Sequence, residues 1–335
     1  FAFTKSRLES ISIPSFVYKF GYGWCSTASH VTNITIIPKQ KSHIVYYDDN
    51  LLLAKSNPLS DVFDILLFAR KDIKTAVIPP FVRRIVDFAF QGTLSLEKIE
   101  FAENSVLESI GPYAFENSNL ERISIPSSVK YIGQNAFSNC TNLKEIEFKE
   151  DSKLETIGNF AFVNCSCAFI SIPSSVSKLS DNFFVNRSNM RNFKIIECKE
   201  INIKHFDNKL IVKKSDTKSS IFDTVVFGVR IIESATIPSF IKKIGPFAFN
   251  LCAKLQSVTF SEDSELEIIG TNAFMYSGLR SITIPKSVIE LKDNSMSHCS
   301  FLQKVYFEEN SMLNLIGNNA FSESAITSIT IPSSV

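Results

Sequence analysis

The side chains best equipped for chemistry are seven cysteines, four histidines and acids paired at alternate positions. Cys140, Cys165, Cys252 and Cys299 each stand three residues after a Phe or Met that closes a recurring motif, so they should stack as small core residues. Cys140 and Cys165 fall in successive repeats, where Cα atoms about 5 Å apart would also permit a disulfide. The "CSC" at 165–167 is not a zinc-type CxxC pair, and no histidine is spaced to complete one. His30, His43, His205 and His298 belong to no nucleophile, metalloprotease, phosphate-loop or dinucleotide motif. "GYGW" at 21–24 is a weak glycine-rich lookalike where a turn is expected. Glu145 and Glu147 read as solvated positions on a strand before they read as an acid and base. The sequons at Asn33, Asn139, Asn164 and Asn186 carry little weight in a chain so rich in Asn, Ser and Thr. These residues suggest neither an enzyme nor a bound cofactor or metal.

The elements that would position them are repeats. Ile-Pro dipeptides place proline at 14, 79, 126, 173, 238, 285 and 332, with separations of 65, 47, 47, 65, 47 and 47. Each 47 is a double unit, because the glycines of Ile-Gly-x-x-Ala-Phe at 111, 133 and 158 are spaced 22 and 25 apart. A longer period of 159 maps the first half of the chain onto the second, which points to a duplicated block. Within a unit, Leu120, Ile123 and Ile125, then Leu143, Ile146 and Phe148, carry the period-two alternation of a strand buried on one face. The intervening Val129, Ile132, Ala136, Phe137 and Cys140 have the three-and-four spacing of a short helical turn. Thirteen strand rungs are expected, ending at 13, 36, 78, 101, 125, 148, 172, 195, 237, 260, 284, 307 and 331.

Two longer repeats, 40–72 and 199–231, each hold two apolar runs around a polar link and predict an inserted β-hairpin packed on the coil. The whole of 1–335 is then a single repeat domain with one continuous core. "FAF" at 1–3 aligns with Phe160–Phe162, and the terminal "IPSSV" copies Ile125–Val129, so both ends are expected to cut through a unit of something longer. Net charge is +1 with signs interspersed, which gives no basic stripe for nucleic acid. The longest apolar runs fall far short of the roughly 20 residues that span a bilayer.

The unit Leu-x-x-Ile-x-Ile-Pro-x-x-Val-x-x-Ile-Gly-x-x-Ala-Phe-x-x-Cys, seen in "IPSSVKYIGQNAF", resembles the leucine-rich repeats of BspA-like surface antigens of anaerobic bacteria and of protists such as trichomonads and Entamoeba. The resemblance implies a right-handed leucine-rich repeat solenoid with a parallel β-sheet on one face. It also implies adhesion to host cells, matrix proteins or other microbes, at the cell surface or outside the cell. The alternative is an intracellular, cytoplasmic scaffold docking on a large assembly, which free buried cysteines would suit. Three stretches depart from the pattern: "FGYGWC" (20–25), "LSDNFF" (179–184) and "LKDNSM" (291–296).

A protein partner would meet the outward strand positions. Most are Ser or Thr, so the candidate contact residues are Arg122, Glu145, Glu147 and Phe169, together with Lys304 and Tyr306. A one-residue register shift at "CAFIS" would instead send Phe169 inward.

Overall fold

Where Ile and Phe alternate with polar residues the chain forms short strands that stack in parallel, one per repeat. The computed structural model describes residues 2–24, 26, 30–39, 41–167, 169–180 and 192–335, except for the side chains of Phe169, Asn192 and Phe193. It divides into two compact units, Phe1–Met190 with Ile196–Lys199 and Arg191–Ile195 with Glu200–Val335. In the first, Thr75–Ile78, Lys98–Phe101, Arg122–Ile125 and Glu145–Phe148 form one parallel sheet. The pairs Thr75↔Lys98, Lys98↔Arg122 and Arg122↔Glu145 fix its register. Ile123, Ile125, Ile146 and Phe148 turn into the core, while Arg122, Ser124, Glu145 and Glu147 face out. In the second unit Ser234–Ile237 pairs with Ser257–Phe260, and Ser281–Ile284 with Lys304–Phe307, in the same manner.

Opposite this face there is no helix among the described residues, which corrects the expected helical turns. A second, narrow sheet takes their place. In the first unit it runs through the two-residue strands Arg84–Ile85, Ser109–Ile110, Tyr131–Ile132, Thr156–Ile157 and Lys178–Leu179. Hydrogen bonding gives the reason. In the turn after Ile110, the amides of Ala114, Glu116 and Ser118 donate three residues back, to Gly111, Tyr113 and Phe115. The alternate amides, Tyr113, Phe115 and Asn117, donate instead to Gln134, Ala136 and Ser138 of the next rung. An α-helix would turn nearly all of these donors back on itself and leave none for the neighbouring rung. Tyr113, Asn117, Asn135 and Asn139 accordingly sit in the left-handed region, at φ 58°, 56°, 53° and 57°, which asparagine tolerates better than most residues.

The expected hairpins are present, each with a third strand. Leu51–Ala54 pairs antiparallel with Ile65–Ala69 on one side and with Ile44–Tyr47 on the other. Leu210–Lys213 likewise lies between Thr224–Gly228 and Ile203–Phe206. Asp48 and Asp49, and again Asp207 and Asn208, take left-handed conformations at the tight turns. These are the positive φ values of a two-residue type I′ hairpin loop. Ile65–Ala69 and Thr224–Gly228 then pair in parallel with Arg84–Ile85 and Lys243–Ile244, so each insert extends the narrow sheet. Ser56 and Ser215 tie the polar links down by bonding Asp64 and Asp223.

Twelve of the thirteen expected rungs are strands; 328–331 is not. Ile329 and Ile331 remain 36% and 44% exposed there, too little burial to lock a register.

Inside the first unit, Phe90, Phe115, Phe137 and Phe162 stack with centroids 4.8, 5.1 and 5.5 Å apart, all fully buried. Offset stacking adds to their area burial. The glycine of Ile-Gly answers a matter of space: a Cβ on Gly133 would lie 2.4 Å from the Pro112 nitrogen of the preceding rung. The second serine of "IPSSV" also ties rungs together, Ser128 Oγ donating to the Leu107 carbonyl at 2.7 Å and Ser175 Oγ to Leu154 at 2.7 Å.

Phe137→Ala should destabilise by about 3–5 kcal/mol, because neighbouring rungs cannot close the cavity. Ser127→Ala, in the turn, should change stability by less than about 0.5 kcal/mol. Urea midpoints of the two variants decide whether this register is right. In hydrogen exchange, the amides of Leu52, Leu66, Leu210 and Val226 should be slow, since those residues are buried in the inserts.

Candidate binding faces

The cysteines come first, because they are the residues most capable of reaction. Among the described residues six cysteines are free thiols, so Cys140 and Cys165 are not joined. Cys140 Sγ donates to the Phe115 carbonyl at 3.0 Å, Cys165 Sγ to Phe137 at 3.2 Å and Cys299 Sγ to Phe274 at 3.0 Å. Each thiol thus occupies the carbonyl of a core phenylalanine one rung back. Burial pushes the Cys140 thiol up to about 12 and raises Cys252 and Cys299 as well, which removes the thiolate that nucleophilic chemistry needs. No cluster of three or more metal-capable side chains occurs among the described residues.

On the outward face of the first unit, register brings Arg122, Glu145 and Glu147 together as expected. They border a depression of about 520 Å³ that is also lined by Lys98, Glu100 and Lys149. Arg122 Nη1 lies 4.0 Å from Glu145 Oε2, and Lys98 pairs with Glu100. Both pairs are more than half exposed, where ion pairs contribute about 0–1 kcal/mol. These charges therefore do little for folding and remain available to a partner. Phe169 opens the strand Phe169–Pro173, and its side chain lies outside the described residues.

Lys304 and Tyr306 lie in the second unit, on Lys304–Phe307, where Tyr306 is 51% exposed. They border a depression of about 640 Å³ shared with Ser328, Thr330 and Ser333. The rungs before them present Ser and Thr, with Thr236 Oγ1 and Thr259 Oγ1 3.1 Å apart.

A third cavity of about 310 Å³ was not foreseen from the sequence. Phe20, Tyr22 and Trp24 border it from the irregular "FGYGW" segment, and Asp87 and Tyr131 from the narrow-sheet side. The sequence signal was that departure from the repeat. Asp87 itself follows Ile85 as an ordinary polar turn residue would.

In the native protein, Cys198, which is only partly buried, should react with a thiol reagent at pH 8 well ahead of the buried Cys140, Cys165, Cys252 and Cys299. Mass spectrometry of partly labelled protein gives the order.

The family described as "BspA type Leucine rich repeat region (6 copies)" matches at residues 65–191, 108–227 and 219–335. No curated protein sequence matches the chain. Among solved structures, the pneumococcal vaccine antigen PcpA is 20% identical, with a TM-score of 0.63, over 89% of this chain and 93% of that one. A leucine-rich cell surface protein of Faecalibacterium prausnitzii is 16% identical, with a TM-score of 0.46, over 84% and 98%. Likeness at this identity speaks to fold alone, and for PcpA it agrees with the stacked parallel strands described above. The family match spans most of the sequence, and the chain belongs to the BspA-type leucine-rich repeat family.

Proposed function

We propose that this is a non-enzymatic, protein-binding repeat domain, part of a cell-surface adhesin or ligand-binding ectodomain, with its partner held on the outward sheet face. The observation that supports this most directly is the depression around Arg122, Glu145 and Glu147. It is lined by charges of both signs that packing does not require, on strands whose opposite face is locked in the core. Phe169, on the rung after Glu145–Phe148, is the apolar anchor in this reading, with the charges as its rim. Extended solenoid faces serve protein recognition in this way. Surface placement draws on the family and on the likeness to a molecule described as a vaccine antigen. No helix of the described residues is long and apolar enough to cross a membrane.

A second reading, an intracellular scaffold, draws on one observation: every cysteine among the described residues is a free thiol. Disulfides are favoured in oxidising compartments and rare in the cytosol.

Interferometry against a panel of purified extracellular-matrix proteins should show saturable binding to at least one. The double variant Glu145→Lys/Glu147→Lys should weaken that binding by about tenfold or more, about 1.4 kcal/mol, with an unchanged thermal midpoint. Binding that survives both this variant and Phe169→Ala would place the partner elsewhere. Absence of binding to the whole panel would favour the scaffold.

A further inference from the structure

Asp87 and Asp293 occupy equivalent places in their units, each two residues after the last core residue of a narrow-sheet strand. An added Cβ on Gly111 would meet Asp87 Oδ1 at 2.6 Å, and one on Gly317 would meet Asp293 Oδ1 at the same distance, so both carboxylates lean over a glycine of the next rung. Asp293 Oδ1 is satisfied there: it accepts from the Asn318 amide at 2.7 Å and from Asn318 Nδ2 at 3.2 Å. The residue that corresponds to Asn318 beside Asp87 is Pro112, and proline has no N–H to donate. The Asp87 carboxylate keeps only a hydrogen bond from the backbone of its own residue, and among the described residues no other side chain bonds or pairs with it.

It is also drawn out of water. Burial raises its pKa above the ordinary carboxylate range, and the backbone hydrogen bond offsets that rise only in part. Around it stand aromatic rings. Tyr22, Trp24, Phe20 and Tyr131 border the same cavity of about 310 Å³, and Tyr22 stands edge-on to Phe88 with centroids 5.2 Å apart. Phe88 holds a left-handed φ of 65°, and Tyr113 is left-handed at the same place one rung on, so the turn beside Asp87 keeps the regular rung geometry. Arg84 borders the cavity too, but it is solvent-exposed and makes no ion pair with Asp87.

We propose that this cavity binds an organic ammonium group, with Asp87 as counter-ion, the exposed rings of Tyr22 and Tyr131 as its walls and buried Trp24 at its edge. Aromatic faces attract such a cation through the ring quadrupole, and a desolvated carboxylate supplies the opposite charge. A cavity of this size admits one small headgroup or one side-chain tip. The ammonium can come from a lysine of a protein partner or from a quaternary amine. The inference stands apart from the sheet-face reading above, since these residues lie on the narrow-sheet side.

Trp24 is the chain's only tryptophan and borders this cavity from the core, so its fluorescence registers changes there. Tetramethylammonium and Nα-acetyl-lysine methylamide are titrated at constant ionic strength, beside the neutral isostere neopentyl alcohol and methyl glucoside. Saturable responses to either cation, absent with the neutral compounds, are expected. The tighter of the two cations identifies the source. Asp87→Asn should weaken binding by about tenfold with its thermal midpoint preserved, and Tyr22→Ala, at a half-exposed position, should weaken it several-fold. Equal responses to neopentyl alcohol, or wild-type affinity in both variants, would overturn the proposal. A response confined to methyl glucoside would overturn it in favour of a sugar site.

Discussion

Each turn must deliver half of its backbone donors to the next turn, and the rest of the structure follows from that demand. Strands meet it on the wide face by ordinary parallel pairing. Opposite them, three-residue turns with left-handed residues such as Tyr113 and Asn117 meet it, sending every second amide forward to the next rung and every other one three residues back. Rungs linked this way approach closely. Glycine is therefore needed at Gly133, phenylalanine rings stack 5.1 Å apart from Phe115 to Phe137, serine side chains fill carbonyls that the backbone ladder leaves over, and cysteine thiols add a second donor to carbonyls it already uses.

This also explains which features could be read in the sequence. Proline spacing fixed the length of a turn, and alternation in Arg122–Ile125 and Glu145–Phe148 fixed which side chains face out, because a strand's period admits no other arrangement. The helical reading of Val129 to Cys140 failed because a succession of three-residue turns also returns apolar side chains inward every three or four positions. Periodicity cannot separate the two. The recurring asparagines could have: Asn135, Asn139 and Asn164 sit where φ is positive, and a helix has no use for them there. The third strand of each insert was hidden because Ile44–Tyr47 and Ile203–Phe206 are short and flanked by polar residues.

Site residues divide along the same line. Arg122, Glu145 and Glu147 share a depression because they are one ladder step apart, and a ladder step is visible in one dimension. The surroundings of Asp87 depend on what a residue 25 positions later lacks, and on how an irregular segment folds back over the narrow sheet. Neither is a periodic property. The repeat made the rule readable, and the departures from it hold the information the rule cannot carry.

The separation of inward and outward positions on each wide-sheet strand has a consequence for how such a molecule diversifies. Every rung offers two outward side chains whose replacement leaves core packing and the backbone ladder untouched, and exchanges at exposed positions of this kind change stability by about 0.5 kcal/mol or less. The Ser/Thr of Ser281–Ile284 and the Lys/Tyr of Lys304–Phe307 occupy equivalent places over the same kind of buried partners. Lineages can therefore rewrite the face one pair at a time, with almost no folding barrier between neighbouring variants. The chemistry of the face can thus change by single steps while the architecture stays constant.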